Sequence, residues 1–397
     1  MAIYQFLIAV RSGGPNQQSF MLTNADGETT SHIQGLFNRT IRFLSEGIKP
    51  VYVFDGKPPT IKSHELVKRR EKRQKAEVAL KQANEEGDVA ELDKQSKRLV
   101  RVGRKENDDC RRLLELMGVP VVNSPCEAEA QASALAKSGR VYATGTEDMD
   151  ALTFQTPILL RKMTFANATK SNIQSLSYEA ALEGLGLTHP QFVDLCIMLG
   201  CDYCDTIKGV GPKTALKLIR EHGNIETVLE KIDRKKYAVP DSWVPNEKKS
   251  KSSAESGSEN EEESPPIENS ADNKAEGDED EEILPAYVEA RKLFHEHEVL
   301  PAADVELKWK PCQADELTKF LVDDMGFNPD RVKSSVVKLQ DAYKANLKPQ
   351  SRMDSFFKVK KPNPNVVRPG ANAAAKRKAD AAAAAKGKKT KTGRTKK

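Results

Sequence analysis

No apolar run in this 397-residue chain approaches the roughly 18–20 residues needed to cross a bilayer, and the mean hydropathy is −0.60. A membrane-spanning protein is excluded by that shortage. The opening MAIYQFLIAV is apolar but lacks the charged start and small-residue cleavage site of a secretory signal. Cysteine is scarce: six residues, at 110, 126, 196, 201, 204 and 312. A disulfide scaffold is excluded, and a reducing compartment is expected. Cys201 and Cys204 form a C-x-x-C without a second pair nearby, which argues against structural zinc. Proline is missing from residues 62–117, and acidic residues are missing from 94–105. The first absence leaves a long stretch free to be helical. The second is unusual, because exposed helices normally alternate opposite charges.

Charge is abundant but partitioned. The net charge is +5, yet residues 358–397 hold 14 Lys and Arg against one Asp, while 255–282 hold 13 Asp and Glu against one Lys. Both segments have the composition of solvated, disordered chain around a nearly balanced body. The basic one also suits DNA binding or nuclear import.

Within the body, Ile33, Leu36, Phe37, Ile41 and Leu44 recur at helical spacing until Gly47. Val51 to Phe54 reads as a strand buried on both faces, ending at Asp55. Residues 62–117 read as a helical hairpin turning at Gly87-Asp88. Basic residues 62, 68–70, 72, 73 and 75 precede the turn, and 94, 97, 98, 101, 104 and 105 follow it as one helical stripe. A solvated face is the ordinary explanation, and a phosphate partner the alternative. Ser124, Pro125 and Glu127 read as N-cap, first helical residue and capping-box partner of the next helix. A strand, VYATG, then leads to TEDMD. Alternating strands and helices predict an α/β fold with a mostly parallel sheet flanked by helices. Residues 175–236 read as helical, 246–284 as an acidic insertion, 285–347 as the rest of the core and 348–397 as a basic tail.

Four carboxylate groups carry the chemistry: Asp55 after a strand, Glu127 and Glu129 opening a helix, Asp148 and Asp150 after a strand, and Asp202 after an apolar helix. Ligands bind beyond the carboxyl ends of strands in parallel sheets. Crowded carboxylates there suit hard divalent cations and phosphodiester hydrolysis. Each taken singly is more simply a cap or a turn former, and Glu147 reads as a neighbour of the site. IKGVGPKTALKLI reads as helix–hairpin–helix, with Gly209 and Gly211 admitting a DNA phosphate and Lys208 and Lys213 adding charge. In QSRMDSFF, Gln350, Met353, Phe356 and Phe357 form a plug for an apolar pocket on a partner.

VYVFDGKPP, SPCEAEAQA, ATGTEDMDALTF, LGCDYC, IKGVGPKTA and QSRMDSFF closely resemble the motifs of the eukaryotic flap endonucleases, within the XPG-type nuclease superfamily. The resemblance spans nearly all of 1–245 and 286–360. It implies a PIN-like nuclease core with a helical arch at 62–112 and a helix–hairpin–helix region at 196–222. Asp55, Glu127, Glu129, Asp148, Asp150 and Asp202 would hold two magnesium ions. Lys62 and Arg69 would reach the scissile phosphate, and Tyr4 would stack on the neighbouring base. Arg39, Gly200, Gly209, Gly211 and Lys213, with Lys62, Arg69, Glu127 and Asp202, would contact DNA, with potassium at the Gly209–Gly211 turn. The expected activity is magnesium-dependent 5′-flap endonuclease and 5′-3′ exonuclease action in Okazaki-fragment maturation and base-excision repair. The expected partners are branched DNA with a 5′ flap and the proliferating-cell nuclear antigen sliding clamp, as one monomer per clamp subunit, with no membrane. The expected location is the nucleus, both nucleoplasm and nucleolus, with the mitochondrion a second site.

The family pattern places a helix and a central strand, carrying another aspartate ligand, before the equivalent of Tyr4. Here that position lies in the opening MAIYQFLIAV. The expectation is a metal site one carboxylate short, a weakened core, and a catalytically impaired DNA- and clamp-binding form as the alternative function. A second alternative is an exonuclease or XPG-type relative, which the compact arch and the position of the clamp box disfavour.

Overall fold

The computed structural model describes residues 2–11, 29–163, 172–244 and 284–345. The chain divides into two units, Met1–Leu347 and Lys348–Lys397. The acidic insertion apart from its last residue, and the clamp-box residues Gln350, Met353, Phe356 and Phe357, lie outside the described residues.

Helix α1 (Ala2–Arg11) packs on α2 (Ser31–Ser45), followed by β1 (Tyr52–Phe54). The apolar spacing of α2 is realised: Ile33, Leu36, Phe37, Ile41 and Leu44 are all buried. Phe6 of α1 lies so close to Gly35 that an added Cβ would stand 2.3 Å from its ring, so only glycine admits α1 here. Arg39 covers the same ring at 4.0 Å.

The hairpin follows as α3 (Ser63–Glu86) and α4 (Val89–Arg98). Gly87, at φ +71°, closes α3, and the Asp88 carboxylate accepts the Ala90 and Glu91 amides of α4 at 3.0 and 3.1 Å. The basic stripe expected from 94 to 105 is interrupted. Residues 99–103 are not helical, Val100 turns inward, and α5 (Arg104–Leu116) starts afresh with the Glu106 carboxylate accepting the Gly103 amide at 2.7 Å. Cys110, Leu113 and Leu114 of α5 are fully buried, so the free hairpin ends near Arg98 and not at 112.

Next come β2 (Val121–Asn123), α6 (Ala128–Lys137), β3 (Thr144–Gly145), α7 (Asp150–Thr153), β4 (Ile158–Arg161) and β5 (Gln174–Ser177). β1 pairs parallel to β2, β3 parallel to β4, and β4 antiparallel to β5. The α/β class with mostly parallel pairing therefore holds, in two separate ladders among the described residues. Two expectations fail locally. Of β1, only Phe54 is buried, while Tyr52 and Val53 are half-buried, with the Tyr52 hydroxyl meeting that of the buried Thr40 at 2.8 Å. Residues 174–177 are a strand, since Leu176 registers against the buried Leu159 of β4.

The remaining helices are α8 (Tyr178–Leu185), α9 (His189–Leu199), α10 (Pro212–His222), α11 (Ile225–Lys231), α12 (Ala286–His295), α13 (Ala314–Lys319) and α14 (Pro329–Ala345). Two main cores result. One joins α2, α5, α13 and α14 through Leu36, Leu113, Leu317 and Leu339. The other joins α9, α10, α11 and α12 through Ile197, Ile219, Val228 and Phe294. No helix of the described residues is long and apolar enough to cross a membrane.

The second core encloses a charge. Asp194 of α9 accepts Arg291 Nε and Nη2 at 2.7 and 2.9 Å and the Ile225 amide at 3.1 Å, while Arg291 also donates to Glu226 at 2.7 Å. The Asp194 side chain is 4% exposed. Removing one partner of such a pair costs about 3–5 kcal/mol. Arg291→Ala should lower the free energy of urea unfolding by about 3 kcal/mol or more. The paired change Asp194→Asn with Arg291→Met should recover much of that loss, and no recovery would mean the cation acts through packing alone.

Candidate active site

The site grows from the end of β1. The Gly56 and Lys57 amides donate to the carbonyls of Cys126 and Pro125 at 2.7 and 3.1 Å. A Cβ at Gly56 would stand 2.2 Å from the Ser124 carbonyl, so the two loops touch through backbone. This contact holds residues 124–127 outside the helix. Ser124 is therefore not the cap: its hydroxyl donates to the Phe54 and Cys126 carbonyls at 3.0 and 2.9 Å. Helix α6 starts at Ala128, three residues beyond the expected start, and the capping oxygen comes from Asp55, which accepts the Ala128 amide at 3.0 Å. Freed from capping, Glu127 meets Lys62 Nζ at 2.7 Å.

The loop after β3 supplies the next group. Thr146 Oγ1 donates to Glu129 at 3.3 Å and accepts the Asp148 amide at 3.2 Å, and Asp148 accepts the Asp150 amide at 3.1 Å. Thr146 thus orients the Glu129 carboxylate and holds the backbone at Asp148, a role the sequence concealed because a threonine in a turn carries no distinctive spacing. Burial pushes the Asp150 carboxyl up to about 7, aided by Asp148, Asp202, Glu127 and Glu129. Glu129 is likewise raised by burial, then by Asp55 and Asp148. Those mutual fields tie all six expected carboxylates into one cluster. Glu147 stands aside, accepting the Lys162 amide at 2.7 Å and facing Arg161.

Asp202 follows α9, which Gly200 ends at φ +116°. It accepts Arg69 Nη2 at 2.7 Å and Lys62 Nζ at 3.2 Å. Both expected phosphate-directed cations therefore already lie on the carboxylate cluster. Desolvation opposes the charge on Lys62, but its hydrogen bonds and ion pairs to Glu127 and Asp202 outweigh it, leaving its pKa above the usual lysine value. Lys68 pairs with Asp205, a further tie between α3 and this turn that spacing alone did not reveal. The Asp205 carbonyl accepts Trp243 Nε1 at 2.8 Å, fixing the turn to the second core.

Other expected residues lie around this centre. Tyr4 is exposed on α1 and Arg39 is half-buried on α2. Gly209 has φ +89°, a conformation glycine adopts freely. Gly211 is extended, φ −97°, and precedes α10; nothing lies within 4 Å of where its Cβ would be, and Lys213 beside it is exposed. The protein itself leaves that surface open to approach.

Among the described residues, no three His, Cys, Asp or Glu side chains form a ready-made ion cage. The donor set nevertheless fits magnesium, which keeps several waters and takes few carboxylates directly, sharing the rest with phosphate. Raised Asp150 and Glu129 mark negative charge that a divalent ion would relieve.

Comparison with known proteins agrees with this geometry. The XPG N-terminal domain model matches residues 1–76 and the XPG I-region model residues 118–202. The chain is 71% identical over 394 residues to flap endonuclease 1 of Phaeodactylum tricornutum, covering 98% of this chain and 91% of that protein. It is 48% identical to flap endonuclease 1 of Phytophthora infestans, covering 96% and 87%. The structure of flap endonuclease-1 from Methanococcus jannaschii superimposes with a TM-score of 0.58 at 32% identity, covering 87% and 90%. The catalytic core of Rad2 in complex with DNA substrate shares the fold, with a TM-score of 0.56 at 23% identity, covering 85% and 90%. These likenesses favour a working nuclease over the catalytically impaired form.

The raised Asp150 also has a stability consequence. Between the ordinary aspartate range and about 7 the folded state holds this proton more tightly than the unfolded chain, so stability falls as pH rises through that window. In EDTA at pH 8, Asp150→Asn should melt several degrees above the parent. The difference should shrink steadily as pH falls toward 4. A gap independent of pH would assign the gain to something other than the lost charge.

Proposed function

We infer the reaction from one premise: the chain belongs to the flap endonuclease family of XPG-type structure-specific nucleases. It is a metal-dependent nuclease that hydrolyses DNA, and its relatives' function places it in replication and repair. The observation that carries the residue-level reading is the meeting of Lys62 and Arg69 with Glu127 and Asp202.

We propose that the substrate is branched DNA with a 5′ flap, also trimmed by 5′-3′ exonuclease action, as in Okazaki-fragment maturation and base-excision repair. Asp55, Glu127, Glu129, Asp148, Asp150 and Asp202 would hold two magnesium ions. When bound, such ions supply Lewis-acid stabilisation of the phosphate and an acidified water as nucleophile. The chain's own residues do the rest. Asp55 holds the start of α6, and Thr146 orients Glu129 and holds the backbone at Asp148. Lys62 and Arg69 exchange their carboxylate partners for the scissile phosphate and stabilise charge developing on its oxygens. Tyr4 stacks on the adjoining base. Gly209, Gly211 and Lys213 bind the uncut duplex, with potassium at that turn, and Arg39 and Gly200 line the DNA path.

We further propose that Gln350, Met353, Phe356 and Phe357 bind the proliferating-cell nuclear antigen sliding clamp, one monomer to each clamp subunit. Such a partner suits work in the nucleus, including the nucleolus, and the mitochondrion would be a second, clamp-free location.

Lys62→Ala and Arg69→Ala should each slow single-turnover cleavage of a labelled 5′-flap duplex by about 10²-fold or more, as loss of one transition-state donor does. Asp150→Ala should abolish the cut while flap affinity, set mainly by phosphate contacts, stays within a few-fold. Loss of affinity without loss of rate at saturation would make both cations general phosphate contacts.

Replacing Phe356 and Phe357 by Ala should eliminate capture on immobilised sliding clamp without changing clamp-independent cleavage. Undiminished capture would put the contact elsewhere.

A further inference from the structure

The site contains a thiol pair that the hydrolysis does not use. Cys201 and Cys204 flank Asp202, and their sulfurs lie 3.7 Å apart. The two residues face each other in an antiparallel bridge within the turn that follows α9. Antiparallel partners have Cα atoms about 4.5–5.5 Å apart, inside the roughly 4.4–6.8 Å that a disulfide spans. Both thiols are free and half-buried. Among the described residues, the remaining cysteines lie elsewhere in sequence, except Cys196 on the last turns of α9, which is electrostatically close to Cys201.

We propose that Cys201 and Cys204 are a peroxide-responsive modification site, whose reversible disulfide turns off the nuclease by displacing Asp202. The reaction balances with a peroxide as oxidant. One thiol attacks the O–O bond of hydrogen peroxide, becoming a sulfenic acid and releasing water. The second thiol attacks that sulfur and a second water leaves. Two thiols and one peroxide give one disulfide and two waters. In a reducing compartment, a pair of this kind is reduced at rest and forms only transiently.

Displacement follows from how the turn is anchored. Bonding requires the sulfurs to close from 3.7 Å to about 2.05 Å. Tyr203 cannot follow freely: it is 5% exposed, with its ring edge-on to Phe294 at 5.2 Å. Asp205 is held through its carbonyl by Trp243. Side-chain rotation takes up part of that closure; the adjustment left in the backbone falls on Asp202, next to Cys201, and with it on the ion pairs to Lys62 and Arg69. A displacement near 1 Å in a catalytic constellation costs about 10²-fold in rate. This consequence rests on Asp202 belonging to the active site; formation of the bond does not.

The test uses the full-length protein treated with hydrogen peroxide in EDTA, then with catalase. Alkylation and peptide mass should show residues 201 and 204 linked, 2 Da lighter and unalkylated, with dithiothreitol restoring both thiols. After magnesium is added, single-turnover flap cleavage should be at least 10-fold slower, and dithiothreitol should restore it. Cys201→Ser and, separately, Cys204→Ala should cut at the parent's rate and resist peroxide. Absence of the linked peptide, a 196–201 link in its place, or equal inactivation of both variants would overturn the proposal. A linked protein that cuts at full rate would retain the bond but refute the switch. Failure of the untreated enzyme to cut any flap would count against the site reading, while the mass measurement still decides whether the bond forms.

Discussion

Six carboxylates at one edge of a fold repel one another, and the rest of the arrangement answers that repulsion. Asp150 is pushed up to about 7, first by its burial and then by the fields of Asp148, Asp202, Glu127 and Glu129. The protein supplies part of the countercharge from the start of the hairpin, where Lys62 just before α3 and Arg69 on α3 meet Glu127 and Asp202. Backbone donors supply more: the Ala128 amide on Asp55 and the Asp150 amide on Asp148. The base of the hairpin is thus docked by the same charges that would engage metal and phosphate. On the proposed reading, substrate entry would exchange one set of ion pairs for another, which would keep the net electrostatic cost of binding small.

One turn also joins Asp202 to Gly209 and Gly211, the proposed place of cutting to the proposed place of grip. The segment from Gly200 to Gly211 begins with the group that ends in Asp202 and finishes at the N-terminus of α10. Trp243 and Tyr203 tie it to the second core. On the proposed reading, a duplex held at Gly209 and Gly211 would therefore be measured from a fixed distance to Asp202. A nuclease that reads shape and not sequence needs such a ruler, because the DNA offers no base-specific landmark to set the register.

Much of this was legible in the chain. The helical spacing of α2, the Gly87-Asp88 reversal and carboxylates following strands are local patterns, and local patterns survive folding. What escaped depended on contacts between distant segments. Ser124 has every local feature of a cap, but backbone bonds from Gly56 and Lys57 give that task to Asp55. The stripe from 94 to 105 has helical spacing, but the burial of Val100 and the Gly103 start of α5 interrupt it. Ser175 to Ser177 reads as helix until Leu176 finds Leu159. The Asp194–Arg291 pair joins residues whose partnership no window of sequence contains.

The packing of α2 against α14 has a consequence for how the protein is made. Leu36 and Phe37 share their core with Val336 and Leu339, whose helix comes last among the described elements. Roughly 280 residues separate the two helices, so at about 5–20 residues per second α2 waits some 15–60 s on the ribosome for its partner. Over that interval its apolar face has α1 and α5 for cover but not α14. The second core, built from residues much nearer in sequence, can close first. Synthesis therefore favours a nascent chain in which the second core forms before the first is complete, and chaperones have a defined face to protect.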